Sequence, residues 1–100
     1  MSWIVEPGPH GIRLVCGERL DIYEAVRFQR VLVDVAVDAR PVEIDLGACE
    51  ELDCAAVQLL LAFRRARAAS NLPTTLSFGS SPALALLRRL GVEHALTAAG

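Results

Sequence analysis

The sequence predicts a small α/β domain in the order β-β-α-β-α-β-α around one mixed sheet. Three observations carry that prediction. Short β-branched and aliphatic runs alternate with longer segments of helical period, and Pro, Gly or Asn marks most junctions. A chain of 100 residues, 53% of them hydrophobic, has enough material for one core and too little for two. The domain is expected over residues 3–96, with 1–2 and 97–100 as short termini.

Trp3–Val5 and Ile12–Cys16 read as the strands of a hairpin, joined through the turn Pro7-Gly8-Pro9-His10-Gly11. Gly17-Glu18-Arg19 closes the second strand, and Leu20-Asp21 leads into the segment Ile22–Asp38. This segment has two periods. Val31, Val33, Val35 and Val37 alternate as a strand would, whereas Ile22, Val26, Val33 and Val37 share one helical face. Its length exceeds an ordinary strand, so a helix is expected, stopped by Arg40-Pro41. With Ile22, Val26, Val33 and Val37 set against the core, Phe28, Val31 and Val35 form a second apolar stripe on the opposite side. Such a stripe suggests a protein or self-association interface, a homodimer included. Interchanged stripes, or a segment that is partly strand, would remove it.

Val42–Leu46 alternates as a strand and is followed by a loop over Gly47–Leu52. Asp53 is placed as the N-cap of a helix from Cys54 to Ala69, with Ala56, Leu59, Leu60 and Phe63 inward and Gln58 and Arg65 outward. Asn71-Leu72-Pro73 ends it. Thr74–Phe78 is a further β-branched run, and Ser81-Pro82 opens a last helix as N-cap and first residue. Leu84, Leu87 and Leu90 supply its core face, and Gly91 its C-cap.

Composition excludes several chemistries. All ten cations are Arg, so reactions that need a lysine amine are ruled out. The formal net charge of −2 argues against a nucleic-acid partner and conceals an asymmetry. Residues 1–50 hold five Arg against nine Asp/Glu, and residues 51–100 five against three. Cys16, Cys49 and Cys54 fit neither a disulfide framework nor a zinc spacing, which points to a reducing, cytoplasmic setting. No basic stretch precedes an apolar one at the N-terminus and no apolar run is long enough to span a bilayer, so neither export nor direct membrane insertion is expected. Asp45 with Glu50, Glu51 and Asp53 resembles an acidic loop more than a metal site, and a receiver-type phosphate acceptor would need a lysine. His10 and His94 have no nucleophile near them in sequence, and Arg64, Arg65, Arg67, Arg88 and Arg89 read as solvated helix faces. No metal, cofactor or catalytic residue is expected, and the chain is not read as an enzyme.

The run Val42-Glu43-Ile44-Asp45-Leu46-Gly47-Ala48-Cys49-Glu50-Glu51-Leu52-Asp53-Cys54-Ala55-Ala56-Val57-Gln58-Leu59-Leu60-Leu61 resembles the STAS family, named for sulfate transporters and anti-sigma-factor antagonists. The family's strand ending in Asp-Leu is followed by a short loop, an Asp, a Ser or Thr, small residues and an aliphatic helix. Gly17–Tyr23 is similar to its loop after the second strand, and Leu84–Leu90 with Gly91-Val92 to its final helix and the step beyond it. The resemblance implies a STAS-like fold with helices mainly on one face of the sheet, and a stand-alone bacterial-type interaction module. In antagonists of this kind a partner kinase phosphorylates the Ser after the loop Asp, and the partner is released.

Here the loop Asp corresponds to Asp53 and the phosphorylated position to Cys54, which ordinary Ser kinases do not modify. Cys54 therefore reads as a degenerate switch position, a small filler at a helix start or a redox thiol; Asp53 as a cap, a partner contact or both. The implied partner surface comprises Asp21, Glu50, Glu51, Asp53, Cys54, Ala55 and Gln58. Its implied partner is an anti-sigma factor or kinase-like regulator, or a chemotaxis-associated component. The alternative is the ATPase of an ABC-type lipid-transport complex, on which a STAS subunit would dock without any phosphorylation.

Overall fold

The computed structural model describes residues 3–8, 11–79 and 81–91. Strands β1 (Trp3–Gly8) and β2 (Gly11–Cys16) form the antiparallel hairpin, in the register Trp3 opposite Cys16 and Glu6 opposite Arg13. β4 (Val42–Asp45) lies parallel to β2 and β6 (Thr74–Ser77) parallel to β4, so the sheet runs β1-β2-β4-β6 and is mixed. Each new parallel strand adds on the same side, and crossovers of one hand then carry their helices to one face. The strands divide accordingly. Ile12, Leu14, Cys16, Val42, Ile44 and Leu76 face a core completed by residues of all three helices, while Arg13, Glu43, Asp45 and Ser77 alternate onto the other face. On that second face Arg13 bridges three strands, pairing with Glu6 at 3.4 Å, Glu43 at 3.2 Å and the Asp45 carboxylate.

Two further strands of two residues each, β3 (Arg19–Leu20) and β5 (Glu51–Leu52), pair in parallel outside the main sheet. Both lie in stretches expected as connecting segments. Neither is long enough to show a period, and they form because each lies where its loop leaves a sheet strand toward a helix.

Helix α1 spans Ile22–Val35 and ends three residues before the expected Asp38. Its orientation reverses the expectation. Ala25, Phe28, Leu32 and Val35 are buried and Val31 is partly buried, so Phe28, Val31 and Val35 are core residues and not an outer interface. Ile22, Val26, Val33 and Val37 are the exposed ones. The physical reason is size: turning the helix this way buries Phe28 and Leu32, and an aromatic ring gains more from burial than a valine does.

Helix α2 spans Cys54–Ala69 as expected, with Ala56, Val57, Leu60, Leu61 and Phe63 buried, Leu59 half-buried and Gln58 and Arg65 exposed. Arg64 and Arg67, however, are buried too, which corrects their reading as a solvated face. Arg67 is wholly enclosed and its guanidinium is saturated. Nε donates to Thr74 Oγ1 at 2.6 Å, Nη1 to the carbonyls of Val35 and Asp38 at 3.0 and 2.8 Å, and Nη2 to those of Arg40 and Pro73 at 2.9 Å each. One side chain thus closes the C-terminal end of α1, the segment after it and the entry to β6. Burial lowers the Arg67 pKa, and nearby Asp38 opposes that shift.

Helix α3 spans Ala83–Leu90 and ends on Gly91 in the left-handed region, φ 72°. The helix begins one residue later than predicted, so Pro82 and not Ser81 is its N-cap, and it has no side-chain cap bond; the Ser81 hydroxyl, one residue earlier, accepts from the Ala83 amide at 3.1 Å. Leu87 is buried and Leu84 half-buried, while Leu90 is 44% exposed, because the helix ends there and its last turn leaves the core. Pro9, His10, Val92 and His94, which figured in the expected turn, the final step and the search for catalytic histidines, lie outside the described residues, as do 1–2 and 97–100.

Candidate functional site

The site is built from two loops that are far apart in sequence. Loop Gly17–Asp21 follows β2 and loop Leu46–Asp53 follows β4, and the parallel order of those strands brings both to the same end of the sheet. The β3–β5 pairing then joins them: the Glu50 and Glu51 amides donate to Glu18 O at 2.7 and 3.0 Å, and the Asp53 amide to Leu20 O at 3.2 Å. An exposed Arg19–Glu51 ion pair at 3.5 Å lies over the same ladder.

Each loop ends in an aspartate that starts a helix. Asp21 caps α1, accepting from the Tyr23 and Glu24 amides at 3.0 Å each, and Asp53 caps α2, accepting from the Ala55 amide at 3.0 Å. Both caps have extended backbone and satisfy amides that would otherwise lack a partner. Because Asp53 is tied to Leu20 by the backbone, the two capped helix starts are held beside each other. The loop is supported from beneath as well. Cys49 is buried and its thiol donates to Glu51 O at 3.3 Å, while the buried Ser81 hydroxyl donates to Cys49 O.

The predicted residues fall into two groups. Asp21, Glu50, Glu51 and Asp53 line one shallow cavity of about 390 Å³. Cys54, Ala55 and Gln58 lie beyond its lining, exposed on the first turns of α2. Four contributors from α3 and its entry, Pro82, Ala83, Leu86 and Arg89, complete the cavity and were missed. Only their proximity in three dimensions marks them, since Arg89 looks like any other helix-end cation in sequence. Four carboxylates against one guanidinium make the cavity acidic, and it suits a basic or amide-rich surface better than an anion.

Asp45 belongs elsewhere. Its Oδ1 accepts from the Gly47 amide at 2.8 Å and its Oδ2 from Arg13, so the carboxylate is engaged on the outer sheet face. Cys16 and Cys49 are buried and burial raises both thiols, to about 12 and about 11, whereas Cys54 is exposed. No helix among the described residues is long and apolar enough to cross a membrane.

A family model described as "Mlab, STAS domain" matches residues 6–98, from within β1 through α3. The chain belongs to the STAS family. Its mixed four-stranded sheet with three helices is compatible with the STAS fold, and the general role that follows is protein interaction. No curated protein matches this STAS chain closely enough to count as a relative.

Proposed function

We propose that this STAS domain is a cytoplasmic, non-catalytic docking module whose partner engages the acidic rim of Asp21, Glu50, Glu51 and Asp53 together with Cys54, Ala55 and Gln58. The observation that supports it most directly is the β3–β5 ladder, which holds two helix starts and four carboxylates in one surface. Such a surface fixes charge in place before binding, so little ordering cost is left to the encounter. The partner in this reading is an anti-sigma factor, a kinase-like regulator or a chemotaxis-associated component. Cys54 offers no hydroxyl for phosphoryl transfer, so release of the partner would not follow the antagonists' phosphorylation route.

That same thiol favours a second reading, in which the domain docks on and stabilises the ATPase of an ABC-type lipid-transport complex. Assembly of that kind needs no switch. Affinity capture from the host with the wild-type chain and with an Asp21→Asn/Asp53→Asn variant tests both readings. The Asn side chains keep the cap oxygens and remove the charge. Loss of the captured protein with the variant supports the site, and its identity, signalling regulator or ABC ATPase, decides between the partners. Equal capture by both chains would overturn the proposed surface.

A further inference from the structure

Among the described residues α1 leaves an apolar stripe in water. Ile22, Val26 and Val33 are 58%, 55% and 65% exposed, Val37 just past the helix is 85% exposed, and Tyr23 beside them 82%. Single exposed aliphatics are ordinary; three on one helical face, continued by Val37 just beyond its end, form a surface. Their order is symmetric. An antiparallel copy of the helix places Val26 opposite Val33 about a two-fold axis between Gln29 and Arg30, and brings Ile22 toward the end of the other helix, where Val37 follows.

Charge follows the same symmetry. Arg27 and Asp34 are exposed, lie two turns apart on one flank of the stripe, and have no ion-pair partner among the described residues. Their midpoint lies one residue from the midpoint of the apolar stripe, about 1.5 Å along the helix axis. In an antiparallel two-fold pair like flanks meet, so each Arg27 comes within about 3 Å, along the axis, of Asp34 of the other copy, well inside the reach of an arginine side chain. Arg30, next to the axis, lies one turn from Asp34 on its own helix, which offsets the approach of the two Arg30 side chains. On the other flank runs an apolar groove between α1 and α2, of about 190 Å³, walled by Leu32, Leu59, Ala62 and Ala66. The small side chains there let a second helix approach closely.

We propose that two copies of this chain associate through antiparallel α1 helices, the apolar stripes packed on each other and the Arg27–Asp34 pairs closing one flank. The five exposed side chains present on the order of 600 Å², and the groove wall brings the footprint toward the ~800 Å² per partner of a stable interface. The arrangement sets the two acidic sites at opposite ends of the helix pair, so the dimer carries two docking surfaces facing apart. It does not depend on what those surfaces bind.

Sedimentation equilibrium over a concentration series tests the pairing. The wild-type chain is expected to pass from monomer to dimer as concentration rises, and Val26→Glu/Val33→Glu to remain monomeric with an unchanged circular dichroism spectrum. Arg27→Asp and Asp34→Arg each place like charges across the axis and are expected to weaken the dimer at least tenfold. Mixed in equal amounts they are expected to recover it, because only the heterodimer restores both pairs. A wild-type chain that stays monomeric at several hundred micromolar overturns the proposal and leaves the stripe to a partner's helix. A mixture no tighter than the single variants overturns the antiparallel register.

Discussion

Replacing Arg67 by lysine keeps the charge and most of the volume and removes the planar fork of the guanidinium with two of its five donors. Its five donors meet five acceptors: one hydroxyl and four backbone carbonyls drawn from α1, the segment after it and the approach to β6. An ammonium has three donors, so at least two of those acceptors lose their partner inside the protein. Each buried acceptor left bare costs about 1–3 kcal/mol, which sets the expected loss for Arg67→Lys at about 3 kcal/mol. For a domain of this size that amounts to a fall in Tm on the order of 12–20 °C. Arg67→Ala loses all five bonds and opens a cavity, and is expected not to fold cooperatively. Urea denaturation followed by far-ultraviolet circular dichroism measures the loss. If Arg67→Lys lies within about 0.5 kcal/mol of the wild type, the guanidinium is not what holds that end of the fold together.

Other outcomes follow from the same geometry. At pH 8 a maleimide is expected to label one thiol per native chain, Cys54, and all three after denaturation; labelling of Cys16 or Cys49 in the native chain would contradict their burial. Because folding raises those two thiols from 9.0 to about 12 and about 11, it favours their neutral form. The stability they contribute is full below pH 9 and is lost as pH rises through 11 and 12, so urea midpoints should fall across that range. Asp38 should titrate near pH 2 by carbon NMR, since the Arg40 side chain and amide donate to it, and Arg40→Ala should return it toward 3.8. Gly11→Ala would set a Cβ 2.7 Å from the Pro41 carbonyl oxygen, against backbone that cannot easily withdraw, and is expected to cost about 1–3 kcal/mol in the same urea assay.

The hairpin, β4, α2 and the Asp53 cap were legible in the sequence because each has a local cause: alternation, a turn residue or an oxygen ahead of an apolar period. The matching cap at Asp21 was not, because the segment after it carries two competing periods. Nor was the face of α1. Valine and isoleucine are spread around most of that helix, so periodicity alone admits two orientations. Only the spacing of Ala25, Phe28, Leu32 and Val35, weighted by the size of Phe28, distinguishes them. Arg67 was misread for the opposite reason. It lies seven residues after Leu60 and eleven after Ala56, on the buried face by helical spacing, and its charge concealed that position. At the candidate site the acidic residues could be named from sequence through the STAS resemblance, which implies a partner surface around the loop that ends at Asp53. The α3 wall could not, because nothing local in Leu86 or Arg89 records which cavity they border.

The joining of two loops by β3 and β5 also makes the site a property of the finished fold. Arg19 and Leu20 meet Glu51 and Leu52 only once α1 and β4, which separate them in the chain, have taken their places. A partly folded chain therefore presents no complete docking surface. Whatever binds there binds the native state alone, and its free concentration becomes a determinant of how much native protein exists. At a hundred times its dissociation constant a partner adds about 2.7 kcal/mol to the folding free energy. In a chain of this size that is a sizeable share of the total, so abundance of the domain should rise and fall with that of its partner.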